Sequence, residues 1–136
     1  MRATPYLNFP GNCAEALRFY EQALNGKIVL LQTHGDSPMK DKFGPEWQDR
    51  VMHATLEAGE LTLMASDAPP EYYQKPQGFA VSLHVDGVDE AERVYADLSA
   101  GGEIRMPLQQ TFWSARFAMF SDRFGTPWII NANEGT

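Results

Sequence analysis

The side chains of this sequence that could bind a metal or activate a substrate are few and widely spaced. Its three histidines are His34, His53 and His84, and Glu57 lies on the same face of a predicted strand as His53. Imidazole and carboxylate groups are common transition-metal ligands, so His53 and Glu57 could contribute to a metal site. None of these spacings is diagnostic, and histidines at the surface or in hydrogen bonds are the favoured interpretation.

Cys13 is the only cysteine of the chain, which excludes an intramolecular disulfide. It lies in the first turn of a predicted helix, after Asn12 as the candidate N-cap, where the helix dipole could lower the pKa of a thiol. A small residue packed beneath the start of the helix is the favoured interpretation. The sequence has no nucleophile-elbow motif, phosphate-binding loop or Cys/His cluster.

The elements that position these side chains are predicted to form the same pattern twice. EALRFY at residues 15–20 and EAERVY at residues 90–95 each belong to an amphipathic helix. An alternating, β-prone segment precedes each helix, and three strand-like segments follow it, the last two joined by hairpin turns about Gly59 and Gly125. The shared order of five elements favours a duplication.

We therefore predict an α+β domain of two paired β-α-β-β-β modules that form half-barrel sheets. The modules are assigned to residues 1–67 and 78–136, with a proline-rich linker over residues 68–77. Each helix has a single apolar stripe, so the helices should cover the outer face of the sheets and leave the other face open.

The open face is predicted to hold aromatic and polar side chains that suit a small organic ligand. Alternation puts Tyr6 with Asn8 on one face, and Met64 with Ser66. The candidate ligand-binding residues are Tyr6, Asn8, His53, Met64, Ser66, Trp113, Arg116 and Trp128. Tryptophan offers a large contact area and one N–H donor, and arginine could pair with an anionic group. Alternatively, the two tryptophans are core or dimer-interface residues.

Composition excludes a nucleic-acid binder, because the formal net charge is −7. Arg105, Arg116 and Arg123 are spaced apart, and we expect them to form no basic patch. The first residues lack the apolar core of a signal peptide, and no apolar run approaches the ~18 residues of a membrane span. We expect a soluble, cytoplasmic protein that does not interact with membranes.

Three segments carry a resemblance to a known family: PYLNFPGNCAEALRFYEQAL, MHATLEAGELTLMASD and QTFWSARFAMFSDRFGTPWIIN. They resemble the vicinal oxygen chelate superfamily of glyoxalase I, extradiol dioxygenases and bleomycin-resistance proteins. More narrowly, they look like its PhnB-like branch, whose members often carry the label "3-demethylubiquinone-9 3-methyltransferase". The resemblance implies a cleft on the concave side of the sheets and a homodimer. In the metalloenzyme members, four His, Gln or Glu ligands come from the first and last strands of each module.

At those strand positions this chain has neither an imidazole nor a carboxylate. The residues are Thr4, Pro5 and Tyr6, then Leu63, Met64 and Ala65, then Gly78, Phe79 and Ala80, and finally Trp128, Ile129 and Ile130. We therefore expect no metal site. The chain also lacks the glycine-rich turn that typically binds S-adenosylmethionine, so we expect no cofactor and give no weight to the methyltransferase label.

The function that fits these expectations is binding of a small organic ligand without a metal. One alternative is a divergent metal-dependent lyase or dioxygenase of the glyoxalase type. The other is a drug-sequestering protein of the bleomycin-resistance type, in which an acidic surface would bind a cationic glycopeptide. The sequence leaves open whether any reaction is catalysed.

Overall fold

The computed structural model describes residues 1–38, 40–42 and 44–133, and it repeats one order of elements twice. The first set is β1 (Tyr6–Phe9), α1 (Cys13–Ala23), β2 (Lys27–Thr33), β3 (Val51–Ala58) and β4 (Leu61–Asp67). The second set is β5 (Val81–Val85), α2 (Val88–Ser99), β6 (Glu103–Gln109), β7 (Arg116–Ser121) and β8 (Pro127–Ala132). The predicted α+β fold with two β-α-β-β-β modules is confirmed.

The two modules belong to two compact units of the chain. The first unit covers Met1–Gln74 and the second begins at Lys75. The segment predicted as the linker therefore contributes most of its residues to the first unit and the rest to the second. Within the described ranges, no helix is both long enough and apolar enough to cross a membrane.

The sheet of the first unit has the strand order β1-β4-β3-β2, with β1 parallel to β4 and the remaining pairs antiparallel. Its strands alternate between buried and accessible residues, and Leu7 and Phe9 are the buried residues of β1. Phe9 lies against Tyr20 of α1, with ring centroids 6.4 Å apart. The core of this unit therefore lies between the sheet and α1, and the opposite face of the sheet is open.

The sheet of the second unit has the corresponding order β5-β8-β7-β6, again with one parallel pair. Val81, Leu83 and Val85 are buried and alternate with the exposed Ser82 and His84. Helix α2 covers the buried face, and the ring of its Tyr95 packs edge-on against Phe120 of β7, 5.7 Å away. This unit also has one covered and one open face.

A buried carboxylate connects the start of α1 to β3. Asp67, at the end of β4, accepts the N–H of Cys13 at 2.9 Å through Oδ1 and that of Val51 at 2.8 Å through Oδ2. Asn12 occupies the predicted N-cap position, but its side chain makes no capping hydrogen bond. The unpaired N–H groups that begin every helix are here partly satisfied by a residue 54 positions later in the chain.

Candidate functional site

The open face of the first sheet consists of two rows of side chains that cross the strands. Residues paired across neighbouring strands point to the same face of a sheet. One row runs from β1 to β2 through Tyr6, Met64, Thr55 and Leu30. The other row includes Asn8 paired with Ser66, and His53 paired with Gln32. The structure thus brings five of the predicted ligand-binding residues together on one face: Tyr6, Asn8, His53, Met64 and Ser66.

Hydrogen bonds order the polar groups of this face. The Tyr6 hydroxyl lies 3.1 Å from Nδ1 of His53, and the two rings stack with their centroids 5.7 Å apart. The Ser66 hydroxyl donates to Oδ1 of Asn8 at 3.2 Å. Tyr6 is 47% exposed, so this network faces solvent rather than the core. Its polar atoms are held in place by these hydrogen bonds while they remain accessible to solvent.

The second sheet presents a more apolar open face. Its rows are Ser82, Ile129, Met119 and Met106, and His84, Asn131, Phe117 and Gln109. Apart from His84, sequence reasoning did not assign these residues to a site. The alternation in RFAMFS would have indicated Phe117 and Met119 once Ala118 and Phe120 were assigned to the core, where both are buried.

Trp113 joins this face from the loop between β6 and β7. Its ring packs edge-on against Phe117 with centroids 5.3 Å apart, and against Phe112 at 4.7 Å. Trp113 is 52% exposed and Phe112 is 96% exposed. The predicted role of Trp113 as a cleft residue is therefore compatible with its position beside the open face of the second sheet.

Trp128 was predicted to lie on the open face, and this prediction is wrong. Its neighbours in the sheet are Val81 and Phe120, both buried on the face that α2 covers. Trp128 is 1% exposed, and its Nε1 donates to Oδ2 of Asp122 at 2.8 Å. The alternative interpretation of Trp128 as a core residue is the correct one.

Arg116 was also predicted to line the open face, and the structure places it on the other face. It pairs with the buried Ala132 across β7 and β8. Its Nε lies 3.9 Å from a carboxylate oxygen of Glu92 on α2, and its Nη1 donates to the carbonyl of Ala115 at 2.7 Å. The register of β7 against β8, which sequence alone does not give, directs this side chain toward the helix.

Cys13 does not provide a nucleophile. Its side chain is fully buried beneath the start of α1. Burial raises the pKa of the Cys13 thiol far above its ordinary value, and the nearby Asp67 carboxylate raises that pKa further. Desolvation of a thiolate outweighs any lowering of the pKa by the helix dipole, and the favoured interpretation of Cys13 as a small packed residue is confirmed.

The family of this chain follows from comparison with known proteins. A model of the Glyoxalase/Bleomycin resistance protein/Dioxygenase superfamily matches residues 5–130. The chain belongs to this superfamily. Among characterised sequences, Protein YjdN of Escherichia coli (strain K12) is 32% identical over 139 residues, which cover 96% of this chain and 95% of YjdN.

Solved structures of similar fold are also known. Protein PA1353 from Pseudomonas aeruginosa is 45% identical with a TM-score of 0.88, and 98% of each chain is covered. A PhnB protein from Bacillus cereus, described as a putative 3-demethylubiquinone-9 3-methyltransferase, is 24% identical with a TM-score of 0.81 over 97% of this chain and 99% of that one. The predicted superfamily is confirmed, and the likeness to the PhnB protein shows a shared fold.

The resemblance implies that four strands supply the ligands in the metal-dependent members of the superfamily. The corresponding strands here are β1, β4, β5 and β8, and a metal would need ligands from their open-face residues. Those residues are Tyr6, Asn8, Met64, Ser66, Ser82, His84, Ile129 and Asn131. They include one imidazole and no carboxylate, whereas a divalent transition metal requires several such ligands. Across the described ranges, no three His, Cys, Asp or Glu residues are grouped so that they could hold a metal ion. The side chains present do not fit such a site.

The other histidines and Glu57 do not supply the missing metal ligands. His34 is buried, and its ring lies edge-on to Trp47 with centroids 5.8 Å apart. Glu57 pairs with Lys27 on β2 and with Thr62 on β4, at the far end of β3 from His53. The spacing that suggested a shared metal site for His53 and Glu57 thus places them in different rows of side chains.

Proposed function

We propose that this protein binds a small organic molecule on the open faces of its sheets without a metal ion. The observation that carries the proposal is the open face of the first sheet. There the hydrogen-bonded pairs Tyr6–His53 and Asn8–Ser66 adjoin the thioether of Met64. A few oriented polar groups among apolar side chains are typical of a small-molecule site.

The open face of the second sheet supports the same proposal with different chemistry. Phe117, Met119 and Ile129 supply apolar contact area, and Trp113 packs beside Phe117. His84 and Asn131 are paired across β5 and β8 and supply polar groups. Methionine and aromatic side chains adapt to flat or irregular ligands, which favours an organic molecule over an inorganic ion at this face.

The metal-free part of the proposal rests on the types of side chain present. Apart from the imidazole of His84 and the side chain of Ile129, only phenol, amide, hydroxyl and thioether groups stand where the metal-dependent members have imidazole and carboxylate ligands. Such groups bind divalent transition metals weakly. The ligand would therefore be held by hydrogen bonds and apolar contact. As membership of the superfamily implies, we also propose a homodimer, which sedimentation-equilibrium measurements of the mass in solution would test.

Methyl NMR of the methionines provides a direct test of ligand binding. Met64, Met106 and Met119 lie on the open faces, whereas the exposed Met1 at the terminus is an internal reference. We expect compounds from a panel of small polar aromatic molecules to shift the open-face methyl signals and leave Met1 unchanged. A panel that moves none of the three signals would contradict the proposal.

A separate measurement tests the metal-free part. Protein treated with a chelator would be melted with Mn²⁺, Ni²⁺, Zn²⁺, Fe²⁺ or Co²⁺ added singly. We expect no stabilisation, because a ligand that does not bind the native state does not raise its melting temperature. A rise of several degrees with one ion, at near-stoichiometric concentration, would favour the metal-dependent alternative.

A further inference from the structure

A polar cleft lies at the end of the second sheet where β7 turns into β8. Its volume is about 390 Å³. Three basic side chains line it, namely Lys75, Arg105 and Arg123. The prediction that the arginines form no basic patch is therefore wrong for two of them, which the fold brings into one cleft.

The concentration of positive charge in this cleft is unusual for so acidic a chain. Five of the eleven Lys and Arg residues lie at or beyond position 75. The two that are absent from the cleft, Arg93 and Arg116, lie 3.8 Å and 3.9 Å from carboxylates of α2. Lys75 and Arg105, in contrast, have no ion pair within the part of the chain that the structure describes. Their charge is available to a ligand.

The backbone directs both arginines to the cleft. Arg105 lies at an irregularity in β6, between Ile104, which pairs with Phe120, and Met106, which pairs with Met119. An extra residue in one strand changes the direction of its side chain, and such bulges are frequent beside binding sites. Arg123 is held over the turn after α2, because its Nε donates to the carbonyl of Ala100 at 3.1 Å.

Two carboxylates also line the cleft, Asp122 and Glu103. Asp122 is buried, and its oxygens accept the backbone N–H groups of Phe124 at 2.8 Å and Thr126 at 3.2 Å, as well as Nε1 of Trp128. These donors stabilise the charge of Asp122 but do not remove it. Glu103 is exposed. Three cations thus line the cleft against two carboxylates, and the excess of positive charge favours an anion.

An apolar cleft of about 300 Å³ adjoins the polar one and shares Gln77 and Arg105 with it. Its other side chains include Phe79, Met119 and Ile129, and the last two belong to the open face of the second sheet. Arg105 therefore stands at the boundary between an apolar surface and a basic cleft.

We propose that these clefts bind a small organic anion. Its carboxylate, phosphate or phosphonate group lies at Arg105, Arg123 and Lys75, and its apolar body lies against Phe79 and Met119. A guanidinium group suits this chemistry because its planar N–H groups match two oxygens of such an anion. The inference rests on the proposed function only where it places the apolar body of the ligand. The anion site itself requires only the basic residues.

Calorimetric titration of the full chain at low ionic strength tests the proposal, with inorganic phosphate and phenylphosphonate as probes. We expect both to bind and phenylphosphonate to bind more tightly. Arg105→Gln should weaken both by about threefold to tenfold, the range for loss of a charge-assisted contact that is partly exposed to solvent. Glu103→Gln should strengthen both, because it removes a like charge.

Arg93→Gln is the matched control, since it changes the net charge equally but lies on α2 outside the clefts. It should leave both affinities unchanged. Equal weakening by Arg93→Gln and Arg105→Gln would overturn the proposal, because it would mean attraction by the overall charge rather than a site. The proposal would also be overturned if neither phosphate nor phenylphosphonate showed saturable binding.

Benzyl alcohol, a neutral probe, separates this inference from the proposed function. If phosphate binding depends on Arg105 while no compound of the panel, benzyl alcohol included, shifts an open-face methionine signal, the anion site stands and the open-face proposal fails. If benzyl alcohol shifts the Met119 methyl signal but neither anion binds, the open-face proposal stands and the anion site is refuted.

Discussion

The hydroxyl of Tyr6 lies 3.1 Å from Nδ1 of His53, and the two side chains meet above β4, the strand that separates their own strands. The stacking of their rings fixes both at the middle of the open face of the first sheet. When the hydroxyl donates to Nδ1, the imidazole carries its proton on Nε2. In that tautomer His53 presents an Nε2–H donor.

Tyr6→Phe should therefore impair ligand binding more than folding. We expect an open-face ligand identified by methionine NMR to lose about fivefold to tenfold in affinity, in line with loss of one oriented hydrogen bond. The free energy of unfolding should fall by less than about 1 kcal/mol, because the hydroxyl is partly exposed. Urea denaturation and ligand titration measure the two effects, and ¹⁵N shifts of the His53 ring report its tautomer.

Tyr72→Phe is the control for this substitution, since Tyr72 is 75% exposed and lies outside the sheet. Tyr72→Phe should change neither the ligand affinity nor the free energy of unfolding. A Tyr6→Phe protein that keeps both its ligand affinity and the tautomer of His53 would show that the Tyr6–His53 hydrogen bond has no part in binding.

The open face of the first sheet was predictable at β1, because Tyr6-Leu7-Asn8-Phe9 alternates without ambiguity. Leu7 and Phe9 can only be core residues in such a strand, so Tyr6 and Asn8 must face the other way. The duplication was also predictable, since an amphipathic helix and its flanking strands recur in the same order. Local periodicity was sufficient for both conclusions.

The open face of the second sheet, at β7 and β8, was not predictable in the same way. Trp128, Ile129 and Ile130 are all apolar, so alternation does not distinguish their faces, and only the pairing with Phe120 and Val81 does so. Arg105 and Arg123 meet through an irregular strand and a turn, neither of which has a periodic signal. Register and irregularity arise from long-range pairing, which a single sequence does not specify.

Trp128→Ala and Trp113→Ala should separate a core tryptophan from a surface one. Removal of the buried Trp128 side chain leaves a cavity and an unpaired Asp122 oxygen, and should cost about 3–5 kcal/mol of unfolding free energy. Trp113→Ala should cost less than about 1 kcal/mol, because half of its surface is already exposed. Urea denaturation of both variants measures this difference, and equal losses would contradict the assignment.

Asp67→Ala should destabilise the first unit by about 2–4 kcal/mol. The substitution leaves the buried N–H groups of Cys13 and Val51 without their acceptor, and each unsatisfied donor carries a penalty of about 1–3 kcal/mol. Asp97→Ala is the control, because its ion pair with Arg93 is exposed and should contribute less than about 1 kcal/mol. Similar unfolding free energies for the two variants would mean that Asp67 does not connect α1 to β3.

The burial of Cys13 predicts a loss of stability in alkaline solution that Cys13→Ala should lack. In the folded chain the pKa of the thiol is raised, whereas in the unfolded chain it is about 8.5. Above that pH the unfolded state releases a proton that the folded state keeps, so the free energy of unfolding falls by about 1.4 kcal/mol per pH unit. Below the pKa of the unfolded thiol, both the folded and the unfolded state hold the proton, and the stabilisation by the buried thiol is fully present.

Urea denaturation of both proteins at pH 7 and pH 10 measures this difference. Tyrosines and lysines also titrate in this range, so the decisive quantity is the wild-type value minus the Cys13→Ala value at each pH. This difference in unfolding free energy should fall by about 2 kcal/mol from pH 7 to pH 10, because pH 10 lies about 1.5 units above the pKa of the thiol in the unfolded chain. The native thiol should also resist a disulfide reagent at pH 8 until the chain is unfolded. Parallel pH profiles, together with rapid reaction of the native thiol, would refute the assignment of Cys13 as a buried, protonated core residue.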